Sequence, residues 1–377
     1  MNKLLGFVKR EAVLCISLAA ALISMIFVPP NEGYLGYIDW SVLGLLFCLM
    51  TAVQGFSGIG AFRRLSDLLT RSFHNTRILG ALLALMCFFL SMLVTNDVAL
   101  LTVVPLTIML FRGRERVNIR TIILETAAAN LGSMATPVGN PQNLYIYTHY
   151  EMPLGEFFTT MIPPTIMSLI LLAASALLIP SEQMSPEATG EPVKSSVSAG
   201  KLRFRAVMYC LMAVLCLLTV ARLLDWRLCA AAVLVVALVA EPRVLRRVDY
   251  ALLGTFVCFF VFVGNLSAIP GIRSFISSAV SGREMLVGAA LSQVISNVPC
   301  TVMLSGFTDN ARGLLLGVDL GGLGTLIASL ASLISFKLYV NSQGARKGRY
   351  FAEFTLYNFV LLAALFAAQT GFNALFG

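Results

Sequence analysis

Residues 132–141 of this chain read GSMATPVGNP, and they interrupt an otherwise apolar run. A second interruption, DLGGLGT at residues 319–325, lies in another apolar run near the end of the chain. Both stretches are rich in glycine, and the first also contains Pro137 and Pro141, so neither can continue as a regular helix. Irregular backbone at membrane depth is tolerated only where protein or a water-filled cavity surrounds it. We therefore interpret both stretches as binding loops.

A short polar signature precedes each of these breaks. It reads TND at residues 95–97 and SNV at residues 296–298. A hydroxyl beside a carboxamide offers both donors and acceptors, and at the tip of a helical hairpin the flanking helices add free backbone groups. Such a tip can bind an oxyanion through N–H donors and the helix dipole, or Na⁺ through oxygens. An ordinary helix–helix hydrogen bond is the alternative, but two copies favour a site.

The composition indicates a membrane protein. Of 377 residues, 58% are hydrophobic and 12% are charged, whereas soluble domains have about 25% charged residues. The run at residues 12–28 lacks a cleavage site, so we expect a first transmembrane helix. Despite the net charge of +8, most of the 27 Lys and Arg residues lie in short loops between apolar runs. This pattern is typical of membrane proteins; we expect contact with a lipid bilayer and no nucleic-acid partner.

The two halves of the chain resemble each other. Residues 39–44 (DWSVLG) align with residues 249–254 (DYALLG), and a linker rich in Pro, Ser and Glu at residues 181–203 separates the halves. Asp39 and Asp249 stand at the start of apolar runs, where helix capping is the expected role. An internal duplication with a broken helix in each half is typical of secondary transporters.

The predicted fold is an all-α polytopic membrane protein, an inverted repeat with two re-entrant hairpins and two broken transmembrane helices. The predicted parts are an N-terminal helix at 1–37, a first repeat at 38–180, a linker with two connecting helices at 181–248, and a second repeat at 249–377. The hairpins are predicted at 77–111 and 284–308, and the broken helices at 121–148 and 311–338. Charge asymmetry predicts a plasma (inner) membrane protein with a cytoplasmic N-terminus and an external C-terminus.

Three acids are expected at membrane depth, where an ionisable side chain is by default a functional hypothesis. They are Asp97, Asp319 and Glu125. The alternatives are a helix cap for Asp97, a half-exposed position for Asp319 and a place near the cytoplasmic entrance for Glu125. Because Val298 stands in the second tip where Asp97 stands in the first, ionisable chemistry is expected mainly in the first half.

The candidate binding residues come from the two tips and the two breaks. They are Thr95, Asn96, Asp97, Gly132, Thr136, Gly139, Asn140, Asn143, Ser296, Asn297, Val298, Asp319, Gly321, Gly322, Gly324 and Thr325. A Na⁺ ion is a candidate near Asn96, Asp97 and Asn297. The chain contains no HExxH, GxSxG or paired His-acid motif, so we expect neither an enzyme nor a cofactor, and no catalytic residues.

From about residue 38 onward, the chain resembles the ion transporter superfamily. Residues 95–97 look like the first hairpin tip of arsenite permeases, and Ser296-Asn297 is similar to the start of the Ser-Asn-Thr tip of symporters. Residues 130–143 and 317–333 look like the family's broken helices, the latter most similar to those of arsenite permeases. The superfamily includes arsenite permeases, sodium/proton antiporters, citrate transporters and divalent anion/sodium symporters.

This resemblance implies a secondary active transporter of a small anion or oxyanion, of the carboxylate, inorganic oxyanion or arsenite class. Coupling to H⁺ or Na⁺, elevator-type alternating access and a homodimer are also implied. The alternative is a Na⁺/H⁺ antiporter that uses Asp97 and Asp319. A passive channel is less compatible with broken helices in an inverted repeat.

Overall fold

The computed structural model of the chain describes residues 11–58, 75–183 and 199–376. Within these ranges the regular elements are helices, together with one isolated antiparallel bridge between Asn75 and Gln183. The α-helices of the first half are α1 (Ala12–Phe27), α2 (Tyr34–Tyr37), α3 (Trp40–Gly58), α4 (Thr76–Leu93), α5 (Asn96–Leu110), α6 (Glu115–Ser133), α7 (Pro141–His149) and α8 (Leu154–Ser175). Those that follow are α9 (Ala199–Val220), α10 (Trp226–Ala240), α11 (Tyr250–Ser267), α12 (Pro270–Val280), α13 (Glu284–Ile295), α14 (Asn297–Ser305), α15 (Ala311–Leu320), α16 (Leu330–Val340) and α17 (Lys347–Phe376).

Six helical segments in the described ranges are long and apolar enough to cross a membrane. They are Trp40–Gly58, Thr76–Leu93, Leu154–Leu178, Leu202–Val220, Tyr250–Ser267 and Lys347–Leu375. Large apolar side chains such as Ile170, Val235 and Val360 are exposed on these and other helices, as lipid contact requires. The predicted fold class is confirmed: the described chain is an all-helical, multi-pass membrane protein.

The predicted hairpins are pairs of helices with very short tips. In the first, α4 and α5 are joined through Val94 and Thr95; in the second, α13 and α14 are joined through Ser296 alone. With 12 and 9 residues, α13 and α14 are each shorter than the roughly 20 residues that cross a bilayer. Ser296 turns the chain with φ 73° and ψ 151°, a conformation that is strained for any residue except glycine.

Two helix pairs are interrupted where the glycine-rich stretches were recognised. Residues 134–140 separate α6 from α7, and residues 321–329 separate α15 from α16. Glycine is required at the end of each first half-helix because the hairpin's outer helix lies against it. A Cβ atom on Gly132 would stand 2.1 Å from the carbonyl oxygen of Phe88, and one on Gly321 would stand 2.8 Å from Cα of Ala289.

The two repeats cross at the centre of the molecule. Helix α5 of the first hairpin packs against α16 of the second repeat, and α14 of the second hairpin packs against α7 of the first. The capping roles predicted for Asp39 and Asp249 are present: Asp39 accepts from the N–H groups of Ser41 and Val42, and Asp249 accepts from that of Leu252.

A second, separate hydrophobic core lies to one side of this crossing. It is formed by α3, α9 and α10 and includes Cys48, Tyr209, Cys216 and Val233, all fully buried. The main core instead joins both hairpins and both broken helices. Helix α3 contributes to both cores, with Val42 and Leu45 in the main one, so the two groups of helices adjoin along α3.

Candidate functional site

Asn130 lies at the centre of the crossing, in the last turn of α6, and is 5% exposed. Its Oδ1 accepts from Nδ2 of Asn96 at 3.0 Å and from Oγ of Ser329 at 3.0 Å. Its Nδ2 donates to the carbonyl oxygen of Gly322 at 3.3 Å and to Oγ of Ser332 at 3.5 Å. One amide therefore ties the first hairpin tip to the break and second half-helix of the other repeat.

Asp319 occupies the corresponding place in the second repeat, at the end of α15, and is 2% exposed. Its Oδ1 accepts from Nδ2 of Asn140 and from Nε2 of Gln142, each at 3.1 Å. Its Oδ2 has no hydrogen-bond partner among the described residues. This free carboxylate oxygen, held in a buried setting, is available to a proton or a bound ion.

The hairpin tips are fastened to the breaks through their backbones. The N–H of Asn96 donates to the carbonyl oxygen of Gly139 at 3.2 Å, and the N–H of Asn297 donates to that of Ala328 at 2.9 Å. The two contacts are equivalent in the two repeats. Each tip is thus held at a fixed distance from the break of its own repeat.

The side chains of the two tip asparagines face different partners. Whereas Asn96 reaches Asn130, Asn297 lies beside the second break, where a Cβ atom on Gly322 would stand 3.0 Å from its Nδ2. Each Oδ1 accepts from the next backbone N–H, that of Asp97 at 3.0 Å and that of Val298 at 2.9 Å.

The threonines of the breaks position the backbone. Oγ1 of Thr136 donates to the carbonyl oxygen of Met92 at 2.6 Å, and Oγ1 of Thr325 donates to that of Gln293 at 2.9 Å. Both hydroxyls therefore fasten a break to the outer helix of its hairpin. In this conformation both hydroxyls are hydrogen-bonded within the protein, and their role as ligands stays a prediction.

The side-chain amides of Asn143 and Gln293 donate hydrogen bonds to backbone carbonyl groups in and beside the breaks. Nδ2 of Asn143 lies 3.2–3.4 Å from the carbonyl oxygens of Ser133, Met134 and Thr136. In the second repeat, Nε2 of Gln293 donates to the carbonyl oxygens of Gly321 and Leu323, both at 2.9 Å. These contacts satisfy backbone acceptors that have no helical partner.

The remaining glycines shape the two loops. A Cβ atom on Gly139 would stand 2.1 Å from the carbonyl oxygen of Ser133, and Gly324 has φ +102° with the Gln293 side chain against it. A larger residue would displace the loop at either place. These glycines contribute backbone geometry to the candidate site.

A cavity of about 120 Å³ opens beside the first hairpin tip. Its walls include Thr95 and Asp97 of the tip, Asn140 of the break, Gln54 of α3 and Asp249 before α11. Among the described residues, the lining contains two carboxylates and no Lys or Arg, and Oδ1 of Asp97 has no hydrogen-bond partner. The electrostatics of this cavity favour a cation.

The sequence profile of the citrate transporter family (CitMHS) matches residues 3–317. The chain belongs to this family. An Escherichia coli relative, inner membrane protein YbiR, is 34% identical over 353 residues, which cover 92% of this chain and 90% of the relative. The uncharacterized transporter MJ0456 of Methanocaldococcus jannaschii is 32% identical over 89% of this chain and 90% of its own.

A structural comparison agrees with the fold of this citrate transporter family member. The crystal structure of the Alcanivorax borkumensis YdaH transporter, described as having an unusual topology, covers 92% of this chain and 88% of its own. The TM-score is 0.58 at 15% sequence identity, so the likeness concerns the fold alone. The rice silicon efflux transporter LSI3 is 29% identical over 39% of this chain and 30% of its own.

The structure of this family member adds polar residues that the sequence analysis had not selected. They are Asn130, Gln142, Gln293, Ser329 and Ser332, all at the crossing or beside a break. A signal for Asn130 was present, because NLG at residues 130–132 aligns with DLG at residues 319–321. An alignment of the two breaks, instead of a separate inspection of each, would have placed Asn130 opposite Asp319.

Proposed function

We propose that this protein is a secondary active transporter of a small anion or oxyanion, such as a carboxylate, an inorganic oxyanion or arsenite, coupled to H⁺ or Na⁺. The observation that supports it best is that the N-terminal ends of four helices meet at the centre of the molecule. Through the packing of α5 on α16 and of α14 on α7, the N-terminal ends of these four helices lie at the crossing. Helix N-termini carry partial positive charge and attract anions.

The arrangement of hydrogen bonds and cores also supports an elevator-type movement. Contacts such as those of Asn130 with Ser329 and of Asp319 with Asn140 join the two hairpins and the two broken helices. The separate core of α3, α9 and α10 fits a scaffold against which that joined unit slides. In this proposal the unit moves with its substrate, and the site becomes accessible from the two sides in turn.

The proposed setting is the inner membrane, with a cytoplasmic N-terminus and an external C-terminus, and the proposed assembly is a homodimer. The E. coli relative is named an inner membrane protein, which supports the setting. Cysteine labelling at residue 376 and crosslinking in native membranes would test both statements. Labelling only from the cytoplasmic side would contradict the orientation, and a monomer in crosslinking would contradict the dimer.

Flux assays test the transport proposal directly. The purified protein would be reconstituted into liposomes and supplied with radiolabelled citrate, sulfate, phosphate or arsenite, with and without pH or Na⁺ gradients. We expect saturable flux of at least one anion that rises with one of the gradients. The absence of gradient-driven flux for every one of these anions would contradict the proposal.

A second candidate, Na⁺/H⁺ antiport, is favoured by the cavity beside Asp97. Its described lining contains Asp97 and Asp249 and no basic side chain, which suits a cation better than an anion. Addition of Na⁺ to vesicles that contain a pH dye would decide. A Na⁺-induced pH change without any anion flux, lost in Asp97→Asn, would support antiport in place of anion transport.

A further inference from the structure

Glu125 is a fully buried acid that the proposed transport centre does not use. It lies in the middle of α6, five residues before Asn130, and is 0% exposed. The hydroxyl of Thr107 on α5 is hydrogen-bonded to its Oε1, while Oε2 has no hydrogen-bond partner in the described part of the chain. A buried carboxylate without a counter-charge is strongly disfavoured. The carboxyl group therefore suits a site that holds a proton in this conformation.

Two further orphaned oxygens lie on the same face of α6. Thr121 and Asn118 precede Glu125 by four and seven residues, a spacing that aligns side chains along one side of a helix. Both are buried, and Thr121 Oγ1 and Asn118 Oδ1 have no hydrogen-bond partner among the described residues. Buried oxygens are normally hydrogen-bonded, to water if not to protein. This face of α6 thus presents buried polar atoms between the start of the helix and Glu125.

Hydroxyl groups continue from Glu125 toward the crossing. Tyr350 lies on α17, which packs against α6, and its hydroxyl is 3.3 Å from Oγ of Ser335. Ser335 follows Ser332 by one helical turn of α16, and Ser332 is bonded to Asn130 at 3.5 Å. The protonation state of Glu125 can therefore influence the hydrogen bonds that hold the two repeats together.

The other ionisable groups near Glu125 are either neutral or already paired. Cys87 on α4 and Tyr350 on α17 interact with it electrostatically. Glu353 on α17 is paired with Arg120 and Arg349. The remaining ionisable groups on helices packed against α6 are Arg77 on α4, Asp97 on α5, Glu156 on α8, Arg312 and Asp319 on α15, Lys337 and Tyr339 on α16, and Lys347 and Tyr357 on α17.

We propose that Glu125 is a proton-binding site that couples transport to a proton gradient, loaded along the face of Asn118 and Thr121. The inference rests on the proposed transport function and specifies H⁺ as the coupling ion. The chemical step is an exchange: a proton from water binds the Glu125 carboxylate and later returns to water, and no other bond changes. Thr107 is a positioning residue, since it orients the carboxyl group through Oε1.

Glu125→Gln tests this role, because glutamine keeps the shape and the acceptor for Thr107 but cannot exchange a proton. Reconstituted protein would be given radiolabelled citrate, sulfate, phosphate and arsenite. For the anion that wild type transports, we expect Glu125→Gln to lose gradient-driven accumulation about ten-fold or more, while exchange at equal concentrations on both sides continues. The control is Glu156→Gln, an acid paired with Arg312 at the surface. Wild-type accumulation by Glu125→Gln would overturn the proposal and leave the transport function intact.

Infrared difference spectra of the protein in liposomes provide a measurement that needs no substrate. A change of pH should alter the C=O bands of protonated carboxylic acids in wild type and in Glu156→Gln. In Glu125→Gln one component of these bands should be missing, while the components of Asp97 and Asp319 remain. An unchanged difference band in Glu125→Gln would overturn the proposal even if no anion were transported. Should Glu125→Gln fail to fold, Thr107→Val replaces it. Loss of the donor disfavours the ionised carboxylate, so the midpoint of this band should move up by about half a pH unit or more. An unmoved midpoint would overturn the proposal.

Discussion

Asn130 and Asp319 occupy equivalent positions in the two repeats, and each is hydrogen-bonded to the opposite repeat. Asn130 accepts from Ser329 at 3.0 Å, and Asp319 accepts from Asn140 at 3.1 Å. The pair is chemically unequal, since one member is a neutral amide and the other a carboxylic acid. Asn140 also lines the cavity of Asp97. The acid of the second repeat thus lies against the break of the first, close to the acid of the first hairpin tip.

Asp319→Asn should uncouple transport without unfolding the protein. Asparagine can still accept from Asn140 and Gln142 at its oxygen, but it removes the ionisable group. Without the ionisable group this position can neither exchange a proton nor balance a bound cation, so we expect gradient-driven flux to fall about ten-fold or more. Flux in liposomes, beside a size-exclusion profile, provides the measurement. Full flux in this variant would show that Asp319 has only a structural role.

Asn96→Ala should abolish flux while leaving the protein in the membrane. The change removes the donor to Asn130 and the acceptor for the N–H of Asp97, so the first hairpin tip keeps its backbone bond to Gly139 but loses its side-chain link to the second repeat. We expect Asn297→Ala to have a similar effect at the second tip. Thr159→Ala is a suitable control, because the hydroxyl of this exposed residue donates to the carbonyl oxygen of Glu156 within α8. Normal transport by both asparagine variants would show that the two tips are not part of the transport site.

Gly132→Ala should destabilise the fold. Its Cβ atom would stand 2.1 Å from the carbonyl oxygen of Phe88, and overpacking of this kind costs about 1–3 kcal/mol. Gly155→Ala is the matched control, since nothing lies within 4 Å of its Cβ position in α8 and alanine is the better helix former. Thermal unfolding in detergent should give a lower midpoint for the first variant only. Equal midpoints would contradict the close packing of α6 on α4.

Ser296→Gly should stabilise the second hairpin. The residue has φ 73° and ψ 151°, and relief of such strain is worth about 1–3 kcal/mol, partly offset by the greater freedom of glycine in the unfolded chain. Ser296→Ala removes the same hydroxyl but keeps the strain. A rise in unfolding midpoint for glycine relative to alanine is the expected result. If both variants lose flux equally, the hydroxyl itself is needed for transport.

Much of the architecture could be predicted from local patterns. Glycine and proline in residues 132–141 cannot continue a helix, and the structure has α6 end at Ser133 and α7 begin at Pro141. The tips at Asn96 and Asn297 were visible as polar residues in apolar runs. The second repeat also has the short amphipathic helix α12, whereas the corresponding residues 62–75 of the first repeat lie almost wholly outside the described residues.

The roles of individual side chains were less predictable. The ligand roles of Thr136 and Thr325 stay predictions, and the structure adds that both donate to backbone carbonyls of neighbouring helices. The expectation that ionisable chemistry lies mainly in the first half followed from Asp97 and Val298 alone. Asp319 belongs to the second repeat, but its hydrogen bonds are to Asn140 and Gln142 of the first.

The sequence by itself determined where helices break, because glycine and proline act on the backbone within a few residues. Composition likewise determined that the helices lie in a membrane, because transfer of apolar side chains into lipid requires no tertiary partner. Only the tertiary structure decided that Asn130 meets Ser329 and that Asp319 meets Asn140. The first pair is 199 positions apart and the second 179, and such hydrogen bonds form only after the two repeats have packed across each other.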